Sequence, residues 1–226
     1  MLLRCKGKYI ITLEGDDFWT DNQKIQKQIT FLEKNVDCIG VAHECTVIDE
    51  NSIPNGEVYP ECKDDIYTFQ HLISNIMPGQ FTTLMYRNIY LVEKYDYSIL
   101  NQGLMPADRL LYFVLLSYGK IFCLHEKMSA YRHVTNGGTS YSSYIKWNYD
   151  DAKKWNKTLV DYSRKLNNIT SQKYAELMLM KTIIGSRKRC SNTWKDVIFE
   201  LRYEKLHFLR YIEYLWQLVI KNIFSR

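Results

Sequence analysis

The period of the hydrophobic positions changes several times along the chain, and each change marks an element. Tyr9-Ile10-Ile11 is an apolar, strand-like run that leads into Glu14-Gly15-Asp16-Asp17. Thr20-Asp21-Asn22-Gln23 fits a capping box, with Thr20 as N-cap and Gln23 three positions on, so a helix is expected to start at once. From Gln23 to Lys34, Ile25, Ile29 and Leu32 recur at helical spacing and predict one buried face. Cys38 to His43 predicts a buried strand, and Cys45 to Asp49 either extends it or pairs with it. Residues 50–65 are polar with two Pro and predict an exposed loop, and Ile66 to Asn75 predicts a short helix. Pro78 to Arg87 reads as a turn and then a strand. Arg109 to Tyr118 reads as an apolar helix ended by Gly119 in the C′ position. Lys120–Leu124 and Met128–Arg132 are strand-like, and residues 135–140 form a Gly-rich turn. From Tyr144 onwards the period is helical. Trp194, Ile198, Leu201, Leu209, Ile212, Leu215, Val219 and Ile223 follow 3–4 spacing with a basic opposite face.

Composition narrows the class. A chain of 226 residues with 46% hydrophobic positions can bury a substantial core. Four Pro and ten Gly are too few for a sandwich of short strands and favour helices. Six Cys occur at 5, 38, 45, 62, 123 and 190, with no Cys-x-x-Cys pair, so a zinc or dithiol site is not indicated. Cys5, Cys38 and Cys123 lie in apolar runs and are expected as buried free thiols, which fits a reducing, cytoplasmic setting. The N-terminal residues lack the apolar core of a signal peptide, and no window of about 18 apolar residues could span a bilayer. The net charge of +5 is unevenly spread. Residues 181–226 carry ten Lys and Arg against four Asp and Glu, a net +6, which leaves residues 1–180 near −1.

The acidic turn is the candidate chemistry. Glu14, Asp16 and Asp17 crowd three carboxylates into four positions at the carboxyl end of a strand, where open α/β sheets bind ligands. Carboxylates this close repel each other unless a cation neutralises them. Oxygen ligands alone suit Mg²⁺ or Mn²⁺, whose shell is completed by substrate phosphates. The same residues also suit a plain strand-to-helix turn, with the acids favoured by the helix dipole.

Several segments resemble family 2 glycosyltransferases, the inverting enzymes of GT-A fold that use nucleotide sugars. "GKYIITLEGDDFWTDNQKIQKQITFLEKN" looks like the family's strand, acidic motif and following helix. "FTTLMYRN" is similar to its strand with a Ser-x-x-x-Arg pattern. "MPADRLLYFVLLSYGKIFCLHEKMSAYRHVTNGGTSYS" resembles its acidic catalytic residue, the helix behind it and the closing segment. The resemblance covers roughly residues 6–142, and the order and spacing of the pieces make it specific. There are departures. Glu14 stands where Asp is commoner, Pro106-Ala107-Asp108-Arg109 replaces a usual Glu-Asp or Gly-Asp-Trp, and His133 follows Arg132 directly. The family also begins with a Rossmann-like half that grips the nucleotide. That half is expected before Gly7, so the chain corresponds to the later part of such an enzyme and is expected to be a poor catalyst by itself.

The resemblance implies an α/β fold: a partial GT-A, Rossmann-like mixed sheet with flanking helices over 1–143, then a helical extension over 144–226. It implies that Glu14, Asp16 and Asp17 hold Mn²⁺ or Mg²⁺ against the diphosphate of a nucleotide-sugar donor. Asp108 is then the general base for an acceptor hydroxyl, with Arg132 and His133 reaching the phosphate or metal. The acceptor is a saccharide or lipid-linked saccharide, as in surface polysaccharide synthesis. From the residues alone, Asp108 equally suits an N-cap of the helix at 109–118. His43, His71, His125 and His207 show no ligand spacing and read as structural. Residues 181–226 either pack on the domain or make a peripheral contact with an anionic membrane, on the inner face for a cytoplasmic enzyme. No nucleic-acid motif is present, so nucleic acid is not an expected partner. The competing reading is a non-catalytic helical binding module with a structural acidic turn.

Overall fold

Two long runs, Cys38–Ile48 and Lys120–Arg132, pair in parallel and carry the sheet of the first unit. They come from a computed structural model that describes residues 4–103, 106–134 and 148–206, together with Ile212 and Trp216. The chain divides into two compact units, Met1–Ile145 and Lys146–Arg226. The fold is α/β, a mixed sheet with helices, followed by a helical C-terminal unit. Among the described residues no helix is long and apolar enough to cross a membrane.

The strands in chain order are β1 (Tyr9–Ile11), β2 (Phe18–Trp19), β3 (Cys38–Ile48), β4 (Ile66–Tyr67), β5 (Met85–Arg87) and β6 (Lys120–Arg132). Their sheet order is β1-β5-β3-β6-β2, with β4 also pairing β6. β1 and β3 are both antiparallel to β5, so β1, β3 and β6 run the same way and their carboxyl ends share one edge. Cys45 to Ile48 extends β3 rather than forming a hairpin with it, and β6 runs unbroken through the residues between its two expected pieces. β3 is buried almost continuously, the pattern of a strand covered on both faces.

Helices α1 (Lys24–Lys34), α2 (Phe69–Ile73) and α3 (Ala107–Leu116) complete the unit. α1 packs on β3. Leu32 joins Cys38, Val41 and Met85 in a core cluster lined by Tyr9, Ile11, Phe31 and Phe122. Three local expectations fail here for identifiable reasons. Thr20 does not cap α1, because its N–H pairs with the Met128 carbonyl at 3.0 Å and prolongs the β2–β6 pairing. The helix therefore starts four residues later. Its buried face then carries Lys24, Gln28 and Leu32, leaving Ile25 exposed. Gly119 has no left-handed backbone, and α3 ends at Ser117. It is glycine because a Cβ would lie 3.0 Å from the Ile39 Cβ. The expected helix at 66–75 is split, with Ile66–Tyr67 joining the sheet and only Phe69–Ile73 helical. His71 and Thr68 close a capping box there.

Lys24 and Gln28 make a buried polar cluster beneath the sheet. The Lys24 ammonium lies 4.9 Å from the Trp19 ring and donates to Gln28 Oε1 at 2.8 Å. The Gln28 amide donates to the carbonyls of Val41 and Thr83. His43 is fully buried, with Nδ1 2.7 Å from the Glu44 carbonyl. Of the six cysteines, Cys38, Cys45, Cys62 and Cys123 are buried, Cys5 only partly and Cys190 exposed, and all are free.

The second unit is built from α4 (Tyr149–Lys165), α5 (Ile169–Arg189) and α6 (Trp194–Tyr203). α5 packs on both of the others. Each helix starts on a side-chain cap: Asn148 accepts from the Asp151 N–H, Asn168 from Ser171, and Thr193 closes a capping box with Asp196. Lys153 and Lys157 of α4 pair with Glu200 and Glu204 at 3.1 and 2.7 Å. His207 and most of 207–226, like the turn at 135–140, lie outside the described residues.

Burial lowers the Lys24 ammonium from 10.5 to about 7 and the His43 imidazole from 6.5 to about 3. Between about pH 7 and 10.5 the unfolded chain keeps a Lys24 proton that the folded chain has lost, so stability rises with pH there. Between about pH 6.5 and 3 the unfolded chain gains a His43 proton that the folded chain refuses, so stability falls as pH falls. Denaturant melts across pH should show both limbs. Lys24→Met should remove the alkaline limb and leave the acid one, and an unchanged alkaline slope would refute the assignment.

Candidate active site

The acidic turn crosses the sheet's carboxyl edge. β1 and β2 lie on opposite sides of the β3–β6 pair, so the segment joining them, residues 12–17, has to pass from one side to the other. A single buried carboxylate fixes it. Asp17 is 7% exposed, accepts the Arg132 backbone N–H at 2.9 Å on one oxygen and the Thr82 hydroxyl at 2.8 Å on the other. Both oxygens thus accept a bond from the protein, which gives Asp17 a structural role.

Arg132 also differs from its expected role. Its guanidinium donates to the carbonyls of Asp16 (3.1 Å), Asp49 (2.6 Å) and Glu50 (3.0 Å) and to the Ser52 hydroxyl (2.9 Å). The fork that would grip a phosphate is filled by the loop after β3, because β3 and β6 end side by side at Ile48 and Arg132. His133 is held 2.6 Å from the Glu57 carboxylate and stacks on Tyr131 with ring centroids 5.9 Å apart.

Glu14 and Asp16 are the carboxylates left facing outward. Glu14 is exposed and accepts from the Gln80 amide at 2.6 Å on one oxygen. The Gln80 carbonyl oxygen in turn accepts the Thr82 N–H at 2.6 Å, which fixes the amide's orientation. Asp16 is exposed. Burial raises the Glu14 carboxyl above its ordinary value, and the charges of Asp17, Asp16 and Asp108 add to the rise against the Gln80 bond. Asp17 is likewise raised by burial, with Asp16 adding to it, against the bonds from Arg132 and Thr82.

Asp108 belongs to this group although it lies 94 positions beyond Glu14 in the sequence. It is not the helix N-cap. α3 starts at Ala107 with Pro106 in the cap position, and Asp108 sits in the first turn, where the helix dipole favours a carboxylate. Arg109 pins that turn by donating to the Leu72 carbonyl at 3.0 Å and to Asn75 Oδ1 at 2.7 Å. Tyr112, one turn on and on the same face as Asp108, donates to the Gly79 carbonyl at 3.3 Å. Gly79 precedes Gln80, which holds Glu14. Hydrogen bonds therefore lead from Tyr112, on the Asp108 face of the helix, to the acidic turn. Two tyrosines sense the same charges. Burial pushes Tyr59 up, with Asp108, Tyr131, Cys45 and Glu14 adding to it. Burial pushes Tyr131 up to about 12, with Asp17, Glu14 and Asp16 adding to it. The two rings meet edge to face with centroids 5.5 Å apart.

Among the described residues, no three His, Cys, Asp or Glu side chains form a group that could hold a metal ion by themselves. The donor set fits a looser arrangement. Among the described residues neither Glu14 nor Asp16 is paired with a cation, and a hard divalent ion needs only one or two carboxylates when diphosphate oxygens supply the rest.

Sequence reasoning missed Gln80, Thr82, Tyr59 and Tyr131. The signal for the first pair was Gly79, where a Cβ would collide with the Thr83 side chain and the His43 carbonyl. The signal for Tyr59 was an aromatic residue in an otherwise polar stretch. The expected loop at 50–65 is exposed through Val58, but Glu61 and Cys62 are buried and the Cys62 N–H pairs with the Met77 carbonyl.

No protein-family model matches the chain. The uncharacterized protein Rv1520 of Mycobacterium tuberculosis and the uncharacterized protein Mb1547 of Mycobacterium bovis are each 28% identical to it over 138 residues. That is 61% of this chain and 38% of each relative, so the chain spans about two-fifths of their length.

Asp17→Ala should cost about 2–4 kcal/mol of stability, because it strands a buried hydroxyl and a buried N–H. Asp16→Ala should stay within about 0.5 kcal/mol. Urea melts of both variants check this, and equal stability of the two would refute the division of labour between adjacent aspartates.

Proposed function

We propose that this chain carries the metal- and acceptor-side chemistry of an inverting glycosyltransferase, moving a hexose from a nucleotide-sugar donor to an acceptor hydroxyl. What supports this reading above all is that Asp108, 94 positions away in sequence, lies near enough to Glu14 for its charge to add to the rise of the Glu14 carboxyl, with Tyr112 bound to Gly79 and Gln80 bound to Glu14 on the same side. A structural turn alone has no need of a distant fourth carboxylate.

In this reading Asp108 accepts the proton of the acceptor hydroxyl as that oxygen bonds to the anomeric carbon. The bond from that carbon to the diphosphate oxygen breaks, the nucleoside diphosphate leaves, and the configuration inverts in one displacement. A carboxylate suffices as base because the transition state is oxocarbenium-like and proton removal is late. A bound Mn²⁺ or Mg²⁺ would supply positive charge to the leaving diphosphate, with Asp16 and the free oxygen of Glu14 as its protein ligands. Asp17 and Arg132 hold the backbone that carries those two groups at the edge. The four buried free thiols support a reducing compartment such as the cytoplasm. The acceptor class is a saccharide or a lipid-linked saccharide, as in surface polysaccharide synthesis.

Three observations favour the competing structural reading: both Asp17 oxygens accept bonds from the protein, the Arg132 guanidinium is filled by backbone carbonyls, and one Asp108 oxygen accepts the Arg109 N–H at 2.7 Å. The two readings part at Asp108. Release of nucleoside diphosphate from a panel of nucleotide sugars, with Mn²⁺ and saccharide acceptors and with the chain joined to a nucleotide-gripping half, measures the activity. Asp108→Asn should lower it by about 10²–10⁴ with an unchanged melting temperature. Full activity in Asp108→Asn, or a lower melting temperature as its sole effect, would reject the base role.

A further inference from the structure

Helix α6 is apolar on two sides, and among the described residues one of them is covered. Val197 and Leu201, one turn apart, are buried. Trp194, Ile198, Phe199 and Tyr203 are 54%, 47%, 68% and 71% exposed. At roughly 100° per residue Phe199 and Tyr203 point away from the buried Val197 and Leu201, Ile198 flanks the buried stripe, and Trp194, at the start of the helix, points close to the direction of Leu201. Trp194 and Ile198 border one side, Phe199 and Tyr203 the other, and Lys195 and Arg202, both exposed, lie between them. The 3–4 spacing read from the sequence put Trp194, Ile198 and Leu201 on one face. The helix keeps the three on one face, with Leu201 buried while Trp194 at the helix start and Ile198 at the edge of that face are exposed.

The charges of the helix are sorted in the same way. Glu200 and Glu204 turn toward α4, where Lys153 and Lys157 neutralise them. Asp196 closes the capping box with Thr193. The cations stay outside: Arg187, Lys188 and Arg189 end α5, and Lys195, Arg202 and Lys205 follow on or beside α6, all exposed. The Arg187 guanidinium sits 6.0 Å from the centre of the Trp194 ring, which ties the basic cluster to the aromatic edge.

We propose that this outward face of α6 docks on an anionic lipid surface. Trp and Tyr favour the headgroup level of a bilayer, where the ring is buried and its polar tip stays wet. Lys and Arg lying between the apolar pairs extend to anionic headgroups while their stems cover apolar surface. A protein partner of ordinary composition would oppose a row of cations in the middle of the contact. A lipid surface matches charge and apolar edge together. The helix lies flat and does not insert across the bilayer. The inference does not rest on the proposed activity, and either can fail without the other.

Co-sedimentation with vesicles tests it, using mixed phosphatidylcholine–phosphatidylglycerol vesicles, phosphatidylcholine vesicles alone, and low and high salt. The chain should bind the mixed vesicles, and binding should fall by at least about tenfold in high salt or without phosphatidylglycerol. Trp194→Ser with Phe199→Ser, and separately Lys195→Glu with Arg202→Glu, should each weaken binding by about tenfold with unchanged helical dichroism. If a double variant loses helix, a polarity-sensitive dye on Phe199→Cys in a Cys190→Ser background gives the same reading, with a blue shift expected on adding mixed vesicles. Failure of the unmodified chain to sediment with mixed vesicles, equal binding by the folded variants, or an unshifted dye overturns the proposal. So does sizing that shows the face joining two copies of the chain instead.

Discussion

The Asp17 carboxylate is the constraint on which the candidate site depends. One oxygen holds the backbone at the end of β6, and the other holds the hydroxyl of Thr82 just before β5. Those bonds stitch the crossing segment to both halves of the sheet. Neutralising or removing that carboxylate would leave buried donors without partners, a larger penalty than the bonds themselves are worth. Because Asp17 is held inward, its neighbours Asp16 and Glu14 are turned outward. Arg132 completes the arrangement by gathering the carbonyls of Asp16, Asp49 and Glu50. The result is a rigid rim with like charges on it, placed where β1, β3 and β6 all end.

A second constraint lies on the far side of β2. Lys24 lies over the Trp19 ring and beside Gln28, and Trp19 Nε1 and His43 Nε2 are buried without a hydrogen-bond partner among the described residues. Polar groups in such surroundings are costly unless satisfied. Here the ammonium is held over an aromatic face and a glutamine amide ties α1 to the carbonyls of β3 and the segment before β5. The helix after the acidic turn is thereby anchored by polar contacts, and its register is that of Lys24, Gln28 and Leu32.

That register shows what the sequence could and could not disclose. Long elements were legible, because periodicity over ten or more positions averages out local exceptions: the helix after the turn, the apolar α3 and the helical C-terminal unit follow from it, while β3 and β6 were visible as strand-like pieces and their parallel pairing was not. Short-range signals misled wherever a distant partner competed. Thr20 has capping chemistry, yet the Met128 carbonyl takes its N–H. Ile25 has the hydrophobicity of a core residue, yet the delayed helix start turns it outward. Arg132 has the chemistry of a phosphate ligand, yet the end of β3 lies beside it. The acidic turn was visible as a cluster, but which of its three carboxylates is held inward depends on Thr82 and on the backbone of Arg132, neither of which is near it in sequence. The link to Asp108 through Gln80, Gly79 and Tyr112 is likewise a property of the folded sheet.

The central claim is that Glu14 and Asp16 form a half-made cation site that a diphosphate completes. Titration of Mn²⁺ followed by electron paramagnetic resonance, with and without a nucleoside diphosphate, tests it most directly. Weak Mn²⁺ binding that tightens by at least about tenfold with the diphosphate, and is lost in Asp16→Asn, is the result the account predicts. Mn²⁺ binding that is indifferent to the diphosphate, or unchanged in Asp16→Asn, would contradict it.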